Sequence, residues 1–464
     1  MKGVDRISDL PDSILSHILS FLSTEEAFRS SFVSARWSNL FSLVSNLNFE
    51  FDVQHIVCHK RHNSSTARSF ICFVDRVLFF HTGNVDKFRL KCGDRVDADH
   101  IYGWILTALK RGVKHLDLSI TELPRREEPC YYPTDPFPPP LPEFTLPCSL
   151  FTCRTLVSLK LETGFVLDVP KGVHFPNLET LHLYKVKFLN DNSATTLFSG
   201  CNALQDVIIE KCNMKNMSSF NISHHSLKRL TILYSVDGCN CWFRIDTPNL
   251  AYFTYHGHRV AGYSLENLES IVKADIRFLT IDIRYQPTVV GFLIEYDDNA
   301  EADITAFFKG ISMATSLSLS PTSLKLLLSC EPLPVFPAMV ELRMDEMKID
   351  DFYWSYSMNK GLETLLSRTP ELQQLSFNQD LLISLPEQVP SCLLFKLKAI
   401  EILCFNKYED CIRKATYILK NGGALENFTI RTDLDEEGRL NMSKVLLASP
   451  RKSNHCKFLI MTLP

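Results

Sequence analysis

Apolar residues recur at helical spacing at the start of the chain and at strand spacing through most of its remaining length. In LPDSILSHILSFL (10–22), Ile14, Leu15, Ile18, Leu19 and Leu22 fall at i, i+1, i+4, i+5 and i+8, one face of a helix. Pro11 suits the first turn, where no backbone donor is needed, and Asp12 puts a negative charge at the positive end of the dipole. Burying these aliphatic side chains is worth on the order of 10 kcal/mol, so the face requires a cover. Ser23 and Glu26 form a capping box that opens a second helix carrying Ala27, Phe28 and Phe32. Ser34 caps a third, carrying Trp37, Leu40, Phe41 and Val44. Three short helices sit near the lower limit for an independent core, and one apolar surface is left over after they pack together.

From about residue 113 a different phrase returns: VKHLDL, LVSLKL (156–161), LETLHL (178–183), LQDVII (204–209), LKRLTI (227–232) and LAYFTY (250–255). Weaker versions recur in MVELRM (339–344), LQQLSF (372–377), LKAIEI (397–402) and LENFTI (425–430). Between 156 and 250 the starts are 22, 26, 23 and 23 residues apart. LxxLxL at a period in the twenties predicts leucine-rich repeats, each supplying a short strand whose Leu positions stack inward on the next unit. Residues between and just after those positions then face the open side. They are Ser158, Lys160, Thr180, His182, Tyr184, Asp206, Ile208, Arg229, Thr231, Tyr252, Thr254 and His256. No regular Asn comes after the third Leu, so the solenoid is expected to be irregular. Between 255 and 339 the phrase degenerates into FLTIDIRY and GFLIEY, through which the architecture is expected to continue.

The chain has 464 residues, 45% apolar and 22% charged, enough for large cores and about three domains by length. A formal charge of −4, without a basic cluster interleaved with aromatics, speaks against nucleic acid or an anionic membrane as partner. The N-terminus carries charges and a proline where a signal peptide needs an apolar run. FICFVDRVLFF (70–80) is interrupted by Asp75 and Arg76 and is too short to cross a bilayer. An intracellular protein of the nucleus or cytoplasm is therefore expected. Its 15 cysteines have no framework spacing and read as small buried hydrophobes.

Few stretches suggest chemistry. HIVCHKRH brings His55, Cys58, His59 and His62 together, but no second ligand group lies at finger-like spacing. Cys239-Asn240-Cys241 has one residue between its thiols rather than two. PTDPFPPPLP (133–142) reads as an extended insertion between repeats, with a polyproline ligand as the alternative. Walker, GxGxxG, HExxH and GxSxG motifs are missing from the sequence, and neither a metal nor a cofactor is expected.

Residues 5–50 resemble an F-box, the module by which substrate receptors of SCF-type ubiquitin ligases attach to a Skp-family adaptor. The likeness rests on Leu10-Pro11, the Ile14, Leu15, Ile18 and Leu19 stripe, Val33-Ser34, Arg36-Trp37 and Leu40. Of these, Leu10, Pro11, Ile14, Leu15, Ile18, Leu19, Val33, Ser34, Trp37 and Leu40 are thereby implied as adaptor contacts. Ala35, Ser38 and Phe41 depart from the commonest plant form, in which Lys, Arg and Trp are frequent, and this bears on adaptor affinity and choice of paralogue. FVDRVLFFHTGNVDKFRLKC, GWILTALKRGVKHLDL, LPCSLFTCRTLVSLKLETG and FPNLETLHLYKVKF resemble the plant F-box/leucine-rich-repeat family, and VPSCLLFKLKAIEILCF with YILKNGGALENFTI resembles its FBD region.

The expected fold is α/β, a three-helix F-box and then an irregular solenoid of one strand plus helix or loop per repeat. Its expected parts are an F-box (1–50), a helical linker (51–85), repeats (86–385) with a Pro-rich insertion at 124–147, and an FBD region (386–464) capping the solenoid. The resemblance implies a non-enzymatic substrate receptor, joined through the Skp-family adaptor to a cullin and a RING protein. Its target would be an unknown protein held on the strand face, where His182, Tyr184, Ile208, Arg229, Tyr252 and His256 are the candidate contacts. Tyr184, Arg229 and Tyr252 stand out because Tyr and Arg most often dominate binding energy. The alternative is a repeat scaffold that acts outside a ligase.

Overall fold

The computed structural model describes residues 7, 10–51, 63–93, 96–121, 144–234, 241–279, 304–327, 330–344, 364–378, 388–404 and 408–462, and the chain divides into two compact units, Met1–Met217 and Ser218–Pro464. HIVCHKRH, Cys239-Asn240, GFLIEY and the Pro-rich insertion up to residue 143 lie outside the described residues.

In the first unit, helices α1 (Asp12–Ser20), α2 (Thr24–Ser30) and α3 (Ala35–Phe41) pack as a module. The Ser23/Glu26 capping box and the Ser34 cap both form, so the helix starts obey the local sequence. Pro11 sits one position before the first helical residue, Asp12. Next comes a parallel sheet: β1 (Asn46–Glu50), β2 (Lys87–Gly93), β3 (His115–Thr121), β5 (Ser158–Glu162), β7 (Thr180–Tyr184) and β9 (Asp206–Glu210), neighbours in that order. Helices α4 (Asn63–Phe80) and α5 (Ala98–Lys110) connect its first strands, and α6 (Asp191–Ser199) precedes β9. Between the main strands run β4 (Phe144–Thr145), β6 (Phe165–Leu167) and β8 (Lys187–Phe188), which pair with one another as a second, shorter ladder.

The second unit repeats this design. Its main sheet orders β11 (Arg229–Leu233), β13 (Tyr252–Gly257), β15 (Lys273–Phe278), β16 (Ser316–Leu319), β17 (Glu341–Met344), β18 (Gln374–Asn378), β19 (Ala399–Cys404), β20 (Asn427–Thr432) and β21 (Lys457–Thr462), all parallel. Beside it β10 (Ser219–Ser223), β12 (Trp242–Asp246) and β14 (Gly262–Glu266) form another short ladder. Several repeats thus return through a second strand, while others use helices such as Ile304–Gly310 and Tyr408–Asn421. The architecture is the solenoid-like α/β repeat that the LxxLxL period predicts.

Register explains the core. Leu159, Leu181 and Val207 are neighbours, as are Leu161, Leu183 and Ile209, and all are buried. In the second unit Phe253 and Tyr255 occupy the equivalent inward positions, and Tyr255 packs against Phe243, Tyr263, Phe278 and Phe307 at 5.4–6.5 Å. Immediately after β5, β7, β9 and β11, Thr163, Lys185, Lys211 and Tyr234 take left-handed backbone at φ 51–57°. Three of them, Thr163, Lys185 and Tyr234, donate their amide to the end of the next main strand. A residue in left-handed backbone thus recurs at the same phase of these four repeats, at a cost of about 1 kcal/mol each. The final strand, β21, leaves Leu459 and Met461 exposed at the edge of the second sheet.

Candidate functional site

The apolar stripe of α1 divides in two. Leu15 and Leu19 are fully buried and join Ala27, Phe28, Leu40 and Phe41 in the core of the helical module, while Ile14 is 46% and Ile18 39% exposed. Phe21, Leu22, Phe32 and Val33 are also exposed. Adjacent helical positions point about 100° apart, so a stripe broad enough to hold both i and i+1 has one flank inward and one outward. Pro11 and Ser34 are exposed, and Leu10 and Trp37 half-buried. Leu15, Leu19 and Leu40 therefore support the outward face from inside, without reaching it. Arg36 ties α3 to the start of α1, donating to the Leu10 carbonyl at 2.5 Å and pairing with Asp12 at 2.7 Å. Among the departures from the common F-box pattern, Ala35 and Ser38 are exposed, whereas Phe41 is core, 5.5 Å from Phe28 and edge-on to His81.

The open faces of the main strands within each unit form a second kind of surface. In the first unit the middle row runs Asn48, Arg89, Asp117, Lys160, His182 and Ile208, and the next row Glu50, Lys91, Ser119, Glu162, Tyr184 and Glu210. His182, Tyr184 and Ile208 thus occupy neighbouring strands, as the alternation predicts. Opposite charges interleave: Arg89 pairs with Asp117 at 3.3 Å, Lys91 with Glu50 at 2.8 Å and Lys160 with Glu162 at 2.5 Å. Burial pushes the Asp117 carboxyl up despite its cationic neighbours. Glu162 is opposed by burial too, but the Lys160 ammonium and the Ser119 hydroxyl hold it below the ordinary carboxylate range. Burial and Lys160 together lower the pKa of His182, whose buried Nε2 has no hydrogen-bond partner. The ammonium groups of Lys185 and Lys211 lie 5.5 and 5.6 Å from the Tyr184 ring centre.

In the second unit, Arg229, Tyr252 and His256 share the open face of β11 and β13. The Arg229 guanidinium lies 5.3 Å over the Tyr252 ring, and His256 Nε2 is 3.3 Å from Asp275 of β15. Arg277 approaches the same carboxylate at 3.3 Å, and together His256 and Arg277 outweigh burial and keep Asp275 below its usual pKa. The LxxLxL phrase misses β15, because KADIRF lacks leucine. Its strict polar/apolar alternation is the signal that finds it.

Among the described residues, no group of three or more His, Cys, Asp or Glu is able to hold a metal ion. Among the described residues the cysteines form no disulfide. Burial pushes Cys92, Cys201 and Cys212 to about 12, while Cys72 and Cys148 are exposed. No helix among the described residues is long and apolar enough to cross a membrane. The described residues thus present two exposed surfaces: an apolar helical face, and open strand faces that carry paired charges.

Comparison with known proteins gives three family matches: the F-box domain over residues 7–49, the leucine-rich repeats of the FBD-associated F-box protein At5g56370 over 102–275, and FBD over 385–430. The chain is similar to the F-box/LRR-repeat protein At3g59200 of Arabidopsis thaliana, 32% identical across 99% of this chain and 88% of the relative. It is also similar to two further F-box/LRR-repeat proteins of the same plant. At2g42730 is 29% identical over 100% of this chain and 99% of the relative, and At4g14103 is 32% identical over 80% and 91%.

Proposed function

The chain belongs to the F-box/LRR-repeat protein family, and on that premise we propose that it is the substrate-recognition subunit of a Skp–cullin–F-box ubiquitin ligase. The observation that carries this reading is the outward apolar face of α1, with Ile14, Ile18, Phe21 and Leu22 exposed beside a core that is already filled. Such a face in a small helical module is satisfied by a partner. The proposed adaptor contacts are Leu10, Pro11, Ile14, Ile18, Val33, Ser34 and Trp37, with Leu15, Leu19 and Leu40 holding them in place. The repeats hold the target on their open strand faces, with His182, Tyr184, Ile208, Arg229, Tyr252 and His256 as contacts. Catalysis is proximity: the receptor raises the local concentration of target lysines near a ubiquitin thioester carried by another subunit, and supplies no nucleophile of its own. This function places the protein inside the cell, in the nucleus or cytoplasm.

Affinity purification of the tagged chain from plant cells tests the proposal. Wild type is expected to bring down a Skp-family adaptor and a cullin, and the Ile14→Asp/Ile18→Asp variant neither. Capture of other proteins by both forms, with no adaptor or cullin in either, would instead make the chain a scaffold outside a ligase.

A further inference from the structure

The last strand of the second unit has a free and apolar edge. Among the described residues β21 pairs on one side alone, with β20, and Lys457 donates its amide to the Glu426 carbonyl at 2.7 Å. Backbone groups of successive residues turn to opposite sides of a strand. Those of Lys457, Leu459 and Met461 therefore face β20, and those of Phe458, Ile460 and Thr462 face outward. Side chains at this edge are apolar on both faces of the sheet. Leu459 and Met461 are exposed on the open face, while Phe458 and Ile460 are only half-buried, although their neighbours Phe428 and Ile430 are fully buried. Lys457, at the start of the strand, is its one charged residue. The first strand of the first unit shows how such an edge is ordinarily blunted. Asn46, Asn48 and Glu50 make its exposed side polar, and Thr24 Oγ1 of α2 accepts the Asn48 amide at 2.8 Å. An apolar edge without these devices is a template for another strand.

We propose that β21 pairs antiparallel with β21 of a second copy of this chain, about a two-fold axis at Ile460. The strand is self-complementary in that register. Ile460 lies opposite its own copy and Phe458 opposite Thr462 of the second copy, so each outward amide meets an outward carbonyl. On the open face Leu459 meets Met461 of the second copy, an apolar cross-strand pair on either side of the axis. The two Lys457 residues are held about 20 Å apart along the ladder, so no like charges face each other. The contact also closes on itself: it uses the free edge of both copies, and assembly stops at the dimer. A strand of another protein would meet the same backbone groups, whereas the chain's own strand also places an apolar side chain opposite Leu459 and Met461. One six-residue strand from each copy is a small contact, which sets the expected dissociation constant at about 10–100 µM. The inference is independent of the receptor reading.

The test is sedimentation velocity of the full chain over a concentration series reaching about 200 µM. Wild type is expected to shift from monomer to dimer. Leu459→Lys/Met461→Lys and Leu459→Glu/Met461→Glu each set like charges face to face across the axis. Each is expected to weaken the dimer at least tenfold with an unchanged circular dichroism spectrum, since both side chains are exposed. An equimolar mixture of the two variants is expected to recover the dimer, because opposite charges then face each other. Ile14→Asp/Ile18→Asp, on the helical face, is expected to dimerise as wild type. Wild type that stays monomeric throughout the series would overturn the proposal and leave the edge to a strand of another protein. A dimer that both charged variants retain, or that Ile14→Asp/Ile18→Asp loses, would overturn it by placing the contact elsewhere. Failure of the mixed variants to recover would overturn the antiparallel register.

Discussion

Ile14 and Leu15 are neighbours in sequence and opposites in structure, and replacing each with Asp separates docking from folding. Ile14 is 46% exposed, so an aspartate there stays in water in the free chain and changes stability by about 0.5 kcal/mol or less. In the adaptor complex it loses about 1 kcal/mol of further apolar burial and adds a carboxylate desolvation of about 3 kcal/mol. Together these weaken binding by about 4 kcal/mol, roughly a thousandfold. Leu15 is fully buried, so Leu15→Asp removes about 2–3 kcal/mol of burial and forces a carboxylate into the core of the helical module, at several kcal/mol more. That approaches the whole stability of a small module, and the three helices are expected to melt. Thermal melts by circular dichroism and adaptor affinity by calorimetry read both effects. Wild-type adaptor affinity in Ile14→Asp, or equal loss of helix in the two variants, would refute this division of the stripe.

Three further outcomes rest on local chemistry. The fully buried His81 donates from Nε2 to the Val44 carbonyl at 2.8 Å, with Arg111 3.4 Å from Nδ1, and burial holds its pKa below 6.5. The unfolded chain therefore takes up this proton first as the pH falls, so stability is full above 6.5 and declines below it; a melting temperature that rises on acidification would contradict this. Gly200→Ala places its Cβ 2.5 Å from Val173 Cγ1 and 2.8 Å from the Val173 carbonyl oxygen, and is expected to cost about 1–3 kcal/mol in chemical denaturation. The purified chain, offered ubiquitin with activating and conjugating enzymes, is expected to form no reducible adduct; burial holds the thiols of Cys92, Cys201 and Cys212 protonated. An adduct abolished by a single Cys→Ser change would make the protein an enzyme.

The repeat architecture was legible where a Leu stands three positions before the strand's first inward residue, as Leu156, Leu178, Leu204, Leu227 and Leu250 do. β5, β7, β9, β11 and β13 coincide with the LxxLxL phrases, and their open-face residues lie where alternation puts them. β1, β2, β15, β16 and β21 escaped the phrase, because NLNFE, KFRLKCG, KADIRF, SLSL and KFLIMT fill the inward positions with Phe, Cys, Ala or Ile, or are too short to show a period. Asn46–Glu50, within the expected F-box stretch, pairs with β2 as the first strand of the sheet. The α1 stripe was visible as apolar but not as two-sided, since periodicity reports amphipathicity and cannot say which flank the other helices take. The short ladders of β4, β6 and β8 and of β10, β12 and β14 rest on two to five residues each, too few for any pattern to announce. Pairing between Asp275, His256 and Arg277 depends on strands 19 to 21 residues apart in sequence meeting in register, which only the fold supplies.

The receptor role stands or falls on assembly. Purified chain, purified Skp-family adaptor and purified cullin, mixed and resolved by size-exclusion chromatography with light scattering, give the most direct reading. The expected result is a one-to-one chain–adaptor complex with a dissociation constant of about 1 µM or tighter, and cullin recruited to the chain only when the adaptor is present. Separate elution of chain and adaptor at concentrations well above that value, with the chain folded, would contradict it.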